Sequence, residues 1–196
     1  KRISVPGHPK DATYVFGVIW SFAYKVSGSD EELVVATTRP ETMLGDSAVA
    51  VHPDDPRYKQ LHGKFLQHPF VDRLIPVICD STLVDMTFGT GAVKVTPAHD
   101  PNDFLCGRRH KLPEITIFTE DGKMAENTGQ FAGLMRFEAR IKLLAALKDK
   151  GLYRGDADNK MRLGKCSRTG DIIEPMLKPQ WWVNCSGMAQ RATDVV

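Results

Sequence analysis

The residues with the clearest chemical potential lie in segment 88–103, FGTGAVKVTPAHDPND. A strand through Lys94 and Thr96 would place both side chains on one face, because side chains alternate with a period of two. Asp100 is followed by a proline, which is typical of a helix N-cap and first turn, and Asp103 would lie in that same turn. An ammonium, a hydroxyl and two carboxylates would therefore meet where a strand ends and a helix begins, a common position for a small-molecule pocket.

Simpler explanations exist for the same residues. The Asp-Pro-x-Asp pattern favours a helix start in any protein, and Lys94 could face solvent from a half-exposed strand. A metal site is a further alternative, since Asp103, Cys106 and His110 recur at helical spacing and His99 is near. These four residues lack the paired spacing of zinc sites, and three basic neighbours of His110 oppose a bound cation. The sequence therefore predicts no metal.

A second polar group lies in segment 36–42, ATTRPET. Thr37 and Thr38 at the end of a strand can offer hydroxyls and backbone N–H groups, and Arg39 offers a planar fork for phosphate or carboxylate. The structural alternative is that Pro40 stops the strand and Arg39 pairs with Glu41. Motifs for a serine or cysteine nucleophile and for a phosphate-binding glycine loop are absent from the sequence, so neither covalent catalysis nor a cofactor is predicted.

Composition sets the class of protein. The chain has 196 residues, a net charge of +2, 42% hydrophobic and 26% charged residues, which is typical of one soluble globular domain. The longest apolar stretch, 14–24, is shorter than the roughly 18 residues that a membrane span needs, so no membrane partner is expected. The four cysteines match neither a disulfide framework nor a zinc ribbon, which favours a reducing compartment. We expect the cytoplasm, with an organellar form left open.

Short β-rich segments dominate the chain. Strands are predicted over 13–26, 33–37, 48–51, 74–79, 92–96, 115–118 and 180–184. Helices are predicted over 101–110 and 136–150, with a weaker one over 56–61. Regular strand–helix alternation is missing, so the predicted fold class is α+β, a mixed β-barrel-like core with a few flanking helices.

Several motifs together resemble the editing domain (connective peptide 1) inserted into class I aminoacyl-tRNA synthetases. They are TTRPET at 37–42, AVHP at 50–53, GTGAV at 89–93 and PAHD at 97–100. KVT ahead of PAHDPND is similar to the valyl type, whereas leucyl enzymes carry an apolar residue in place of Lys94 and isoleucyl enzymes differ around Arg39. EPMLKPQWWV at 174–183 resembles the segment that returns to the catalytic core. The two signature motifs of the synthetic active site are absent from this sequence.

This resemblance implies a single editing domain over 1–196, with 1–12 and 175–196 as segments linking to the synthetase core. The implied activity is hydrolysis of threonyl-tRNA specific for valine, with threonyl-adenylate as a further candidate substrate. Implied partners are that tRNA, through its 3′-terminal adenosine and acceptor stem, the threonyl moiety and the rest of the synthetase. A non-catalytic module that binds the tRNA end, and a leucyl or isoleucyl editing domain, remain open as alternatives.

The resemblance also implies roles for individual residues. Lys94, Thr96 and Asp103 would bind the threonine hydroxyl, and Asp100 the substrate ammonium. Arg39 and Phe88 would bind the terminal adenosine. Asp100, Thr37 and Thr38 would hold the attacking water, while His99 would be a substrate contact, a general base or a structural residue. Four basic residues would contact tRNA phosphates: Lys160, Arg162, Lys165 and Arg168.

Overall fold

A seven-stranded mixed sheet forms the centre of the fold in the computed structural model, which describes residues 1–195. The strands are β1 Arg2–Ile3, β2 Tyr14–Val15, β3 Val18–Val26, β4 Glu32–Thr37, β5 Ala48–Val51, β6 Phe65–Gln67, β7 Leu74–Cys79, β8 Ala92–Val95 and β9 Tyr153–Asp158. The α-helices are α1 Pro101–His110, α2 Arg136–Asp149 and α3 Ser186–Asp194. Short 3-10 helices occupy Pro40–Gly45, Lys59–Leu61 and Glu126–Phe131.

The hydrogen-bonded order of the sheet is β4-β3-β6-β7-β5-β8, with β9 on β3 beside β6. Only the β5–β7 pair is parallel among the strand pairs of residues 1–195. The two end strands of this order, β4 and β8, lie next to each other, so the sheet is nearly closed into a barrel. The predicted α+β class with a barrel-like core and few helices is confirmed.

Helices α1 and α2 form where their sequences predict them. The Asp100 carboxylate caps α1 by accepting the N–H groups of Asn102 and Asp103 at 2.8 and 3.1 Å. Helix α2 buries Ala139, Leu143 and Leu147 in the main core beside the sheet, and it buries Phe137 in a smaller cluster with Tyr14 and Phe16.

Some predicted elements differ from the observed ones. The predicted strand 13–26 is divided at Gly17, whose φ of +80° breaks the extended backbone. Segments 115–118 and 180–184 do not form strands among the described residues, apart from one isolated bridge from Phe118 to Met124. Of the predicted helix 56–61, only Lys59–Leu61 is helical, as a 3-10 turn. None of the helices described is long and apolar enough to cross a bilayer.

Candidate functional site

Four side chains from three parts of the chain meet in one buried hydrogen-bonded group, which we name the Lys94 network: Tyr24, Asp46, Lys94 and Thr96. The Lys94 Nζ donates to Asp46 Oδ1 at 2.8 Å and to Thr96 Oγ1 at 2.5 Å. The Thr96 hydroxyl lies 2.5 Å from the same Asp46 Oδ1, and the Tyr24 hydroxyl donates to Asp46 Oδ2 at 2.7 Å. One carboxylate therefore organises a cation and two hydroxyls.

Local structure explains why these groups meet. Strand β8 pairs antiparallel with β5, and Asp46 lies two residues before β5, after the 3-10 turn Pro40–Gly45. Tyr24 reaches the same carboxylate from β3. The Lys94 residue is only 6% exposed and Asp46 is fully buried, so this ion pair is formed largely out of water. Burial raises the pKa of Tyr24 well above its ordinary value, which keeps its hydroxyl a donor.

Asp103 joins the network through the backbone. Its Oδ2 accepts the Thr96 N–H at 2.8 Å, which ties the first turn of α1 to the end of β8. Burial raises the pKa of the Asp103 carboxyl to about 6, with Lys94 opposing the rise and the carboxylates Asp100 and Asp46 adding to it. Asp103 is thus an acid that changes its protonation near neutral pH.

The hydrogen-bond inventory of the site leaves capacity for a ligand. A lysine ammonium has three N–H donors, and residues 1–195 provide acceptors for two of those of Lys94. The Asp103 carboxylate has two oxygens, and only Oδ2 accepts a bond from the described residues. One donor and one acceptor are the complement of a hydroxyl group, which both accepts and donates a hydrogen bond.

A groove of about 400 Å³ lies beside these residues. Its lining residues are Pro97, Ala98, Asp100, Pro101, Phe104, Leu105, Pro175, Met176 and Leu177. Helix α1 packs tightly here, because a Cβ on Gly107 would lie 2.8 Å from Pro97 Cγ. The groove places the half-buried Asp100 next to an open cavity, whereas Lys94, Thr96 and Asp103 are buried behind it and are not among its described lining residues.

Arg39 connects the turn after β4 to the turn before α1. Its Nη1 donates to the His99 carbonyl at 2.9 Å, and its Nη2 forms an ion pair with Glu174. Burial alone would lower the pKa of Arg39, but Glu174 and Glu41 outweigh it and raise the pKa. The Arg39 N–H also donates to Thr37 Oγ1 at 3.0 Å. The guanidinium is therefore held in place while remaining one-quarter exposed.

His99 has a partner for each ring nitrogen. Its Nε2 accepts the Ile117 N–H at 3.0 Å, so the proton lies on Nδ1, which donates to the Pro175 carbonyl at 3.2 Å. Burial lowers the pKa of His99 to about 4, so the imidazole is neutral at pH 7. The ring is fully used in holding segment 97–100 against its neighbours.

A buried ion pair supports the turn that carries Arg39. Arg140 of α2 donates through Nε and Nη2 to the two Glu41 oxygens, each at 2.8 Å. Both side chains are at least 95% buried, and the Arg140 guanidinium also lies over the rings of Phe16 and Phe137. Burial opposes ionisation of Glu41, but the two nearby arginines outweigh it and lower the pKa of that carboxyl.

The residues of the metal alternative do not meet in one place. Cys106 and His110 face Asp80 instead, and these three groups offer ligand atoms within 4.8 Å of one another. Arg109 donates to the same Asp80 Oδ2 through Nε and Nη2, at 3.0 and 2.8 Å. The Asp80 carboxylate already has a cationic partner, so we interpret the cluster as a clamp between the end of β7 and the last turn of α1.

The remaining predicted site residues lie at the surface or close to it. Phe88 is 63% exposed in the loop before β8, and Thr38 lines a cavity of about 180 Å³ together with Arg39 and Glu174. All four basic residues expected to contact phosphates are exposed.

Sequence reasoning did not identify five residues that support the site: Tyr24, Asp46, Arg140, Glu174 and, as the partner of Arg140, Glu41. Each lies 22 or more positions along the chain from its hydrogen-bond or ion-pair partner in the site. The one local signal was a pair of acids, Glu41 within the segment Pro40–Gly45 and Asp46 directly after it, and every residue of this segment is buried.

Comparison with known proteins shows which family the chain resembles. Residues 60–136 match the family model described as leucyl-tRNA synthetase, editing domain. The chain is 59% identical over 194 residues to a valine--tRNA ligase of Schizosaccharomyces pombe, and 60% identical over 195 residues to a mitochondrial valine--tRNA ligase of Saccharomyces cerevisiae. A human valine--tRNA ligase is 55% identical over 196 residues. Each match covers 99% of this chain but 20%, 18% and 15% of the relative, so the chain spans about a fifth or less of their length.

Solved structures share the fold at low identity. The GlLeuRS-CP1 structure superposes with a TM-score of 0.56 at 14% identity, covering 73% of this chain and all of that one. A ternary complex of Agrobacterium radiobacter LeuRS with tRNA and LeuAMS gives 0.57 at 19% identity, covering 81% of this chain and 24% of that one. With the relatives matched over nearly the whole chain, these findings show that the chain is an editing domain of the valine--tRNA ligase family of aminoacyl-tRNA synthetases.

Proposed function

We propose that this domain hydrolyses threonyl-tRNA specific for valine and spares the valyl ester. The observation that carries the proposal is that Lys94 and Asp103 both bond to Thr96 and together leave one donor and one acceptor uncommitted within residues 1–195. The identity to valine--tRNA ligases supports the choice of amino acid and of tRNA. Hydrolysis of threonyl-adenylate at the same site is a natural extension, because the acyl group is the same.

The chemistry requires a site that recognises a hydroxyl group. Threonine and valine are nearly isosteric, and the apolar synthetic pocket of valyl enzymes is known to reject threonine only about 100-fold. A hydroxyl placed between the Lys94 ammonium and the Asp103 carboxylate would satisfy both groups. Valine would leave both of them desolvated without a partner, at a cost of about 1–3 kcal/mol for each group. Thr96 contributes by fixing Lys94 through its hydroxyl and Asp103 through its N–H.

Asp100 is suited to bind the substrate ammonium. It is half-buried, lines the 400 Å³ groove and lies at the N-terminus of α1. An ammonium bound there would point the acyl side chain toward Asp103, three residues further along the same helix turn.

Arg39 and Phe88 are assigned to the terminal adenosine, Arg39 by its partly exposed guanidinium and Phe88 by its exposed ring. His99 is 1% exposed and both of its ring nitrogens have internal partners, so we assign it the structural role of holding segment 97–100 in place.

The reaction is attack of water on an aminoacyl ester, and positioning with electrostatic stabilisation can supply the rate without a protein nucleophile. We assign the water to Asp100, Thr37 and Thr38. Asp100 and the hydroxyls of Thr37 and Thr38 would hold the water, and nearby backbone N–H groups would stabilise the developing oxyanion. As the water oxygen bonds to the acyl carbon, the ester C–O bond breaks and the proton lost by the water passes to the leaving ribose oxygen. The free ribose hydroxyl of the tRNA end can assist in the same way.

Partners follow from this assignment. We expect the domain to contact the 3′-terminal adenosine and acceptor stem of the tRNA for valine, with the four exposed basic residues of segment 160–168 near phosphates. Segments 1–12 and 175–196 are assigned as links to the rest of the synthetase, and the full exposure of Trp181 supports contact of the second segment with another part of that enzyme. The cytoplasm remains the expected location, while some relatives are mitochondrial.

The direct test compares hydrolysis of threonyl-tRNA and valyl-tRNA by the 196-residue chain and by a full-length valine--tRNA ligase that carries it. We expect selective release of threonine, lost in Lys94→Ala and Asp103→Ala and kept in Lys142→Ala, an exposed lysine on α2. Equal rates for the two esters would refute the proposal. Tight tRNA binding without turnover in both contexts would favour the non-catalytic module instead, and loss of activity on chelation would favour the metal alternative.

A further inference from the structure

We infer that Asp46 is a specificity-determining residue of this site, acting through Lys94 and Thr96 and itself oriented by Tyr24. This inference rests on the proposed function and deepens it. Asp46 does not line either cavity described above, so its role is that of a positioning residue rather than a catalytic one.

The first step is the direction of the Lys94 ammonium. Two carboxylates lie near this cation, and the structure gives the direct ion pair to Asp46 at 2.8 Å, not to Asp103. If Lys94 paired with Asp103, the donor and the acceptor that a substrate hydroxyl needs would satisfy each other. By occupying the ammonium, Asp46 keeps Asp103 Oδ1 available to a ligand.

The second step is the orientation of the Thr96 hydroxyl. Its oxygen accepts from Lys94, so its proton points to Asp46 Oδ1, 2.5 Å away. Thr96 therefore cannot donate to a ligand, and the remaining N–H of Lys94 is the one donor of the network that the residues described here leave uncommitted. Each group of the network is thus fixed as a donor or an acceptor, and such fixed groups are required to distinguish a hydroxyl from a methyl group.

The third step is the rigidity of Asp46 itself. The Tyr24 hydroxyl occupies Oδ2 at 2.7 Å, and Arg73 donates to the Asp46 carbonyl at 2.9 Å. The carboxylate is fully buried, where a charge persists only with partners. Removing Asp46 would free Lys94 to turn to Asp103, which also loses the repulsion of a nearby negative charge.

Asp46→Asn is the decisive variant because it keeps the shape and removes the charge, and Tyr24→Phe removes one hydrogen bond to the same carboxylate. We expect Asp46→Asn to lower the threonyl-over-valyl selectivity of hydrolysis about tenfold or more, and Tyr24→Phe to lower it a few-fold. The loss should fall mainly on kcat/KM for the threonyl ester. The exposed Asp72→Asn is the matched control and should keep wild-type selectivity.

A second readout separates positioning from a merely structural effect. The negative charge of Asp46 raises the pKa of Asp103, and the ion pair of Asp46 with Lys94 keeps the ammonium from pairing with Asp103. Asp46→Asn removes both effects, so it should lower the pKa of the Asp103 carboxyl below about 6 in a carbon-13 NMR titration. Tyr24→Phe, which keeps the charge, should shift it less.

The outcomes are distinct. Wild-type selectivity together with an unmoved Asp103 titration in Asp46→Asn would overturn this inference while leaving the proposed function intact. A wild-type enzyme that hydrolyses both esters equally would overturn both. If Asp46→Asn does not fold, Tyr24→Phe decides, and unchanged selectivity in that variant overturns the inference.

Discussion

Replacing Asp103 with asparagine should stabilise the fold at pH 7 while it removes threonine selectivity. Burial raises the folded-state pKa of this carboxyl to about 6, from a reference value of 3.8. An acid with a raised folded pKa destabilises the fold above that pKa, and the cost disappears as the pH falls toward the unfolded value. This rise in the pKa corresponds to roughly 3 kcal/mol at pH 7. Asparagine Oδ1 can still accept the Thr96 N–H.

Urea unfolding of the wild type and Asp103→Asn at several pH values measures this cost. We expect the variant to be more stable by up to about 3 kcal/mol at pH 7 and by roughly half of that at pH 5, since the wild type becomes protonated in between. The exposed Asp72→Asn is the control for a general charge effect. A variant less stable than wild type at pH 7, or a difference that does not change with pH, would refute this account of Asp103.

Three further predictions concern other buried groups. Arg140→Met should destabilise the fold by about 3–5 kcal/mol in urea unfolding, because it leaves Glu41 ionised without its buried partner; a loss below 1 kcal/mol would contradict this. Because burial lowers the pKa of His99 to about 4, the unfolded state takes up a proton between pH 6.5 and 4 that the folded state does not. Stability should therefore lose about 2 kcal/mol from this residue between pH 7 and 5, a loss absent from His99→Asn. Iodoacetamide should modify Cys166, whose pKa is lowered by hydrogen bonds from Thr169, long before Cys106, whose pKa burial raises to about 12; mass spectrometry of the native chain shows the order.

The parts of the fold that could be predicted are those in which local chemistry decides the structure. Helix α1 has its cap and proline within four residues, and β5 and β7 are short apolar runs between turn residues. Strands β6 and β9 could not be predicted in this way. Strand β6 has three residues, and β9, YRGDAD, is polar and contains Gly155 at a φ of +106°; both exist because β3 offers them an open edge.

The candidate site divides along the same line. That Lys94 and Thr96 share one face of a strand follows from the period of two, and the start of α1 follows from its cap. Both signals are local. The choice of Asp46 as the partner of Lys94 depends on the pairing of β5 with β8, which brings residues 48 positions apart together. The local motif predicts that Lys94 and Asp103 share a ligand, but the residue that holds Lys94 without a ligand lies outside that motif.

Two carboxylates around one lysine explain how the site can be both charged and ready for a ligand. Asp46 accepts bonds from three side chains and holds the cation, whereas Asp103 accepts one backbone N–H and its pKa is raised to about 6. The two carboxylates therefore have different roles: Asp46 holds the cation, and Asp103 keeps one oxygen for a ligand. Had both carboxylates been equally paired, a ligand hydroxyl would have to break an existing ion pair to bind, and valine would lose nothing that threonine gains. The stability cost at Asp103 and the specificity of the site are therefore consequences of the same arrangement.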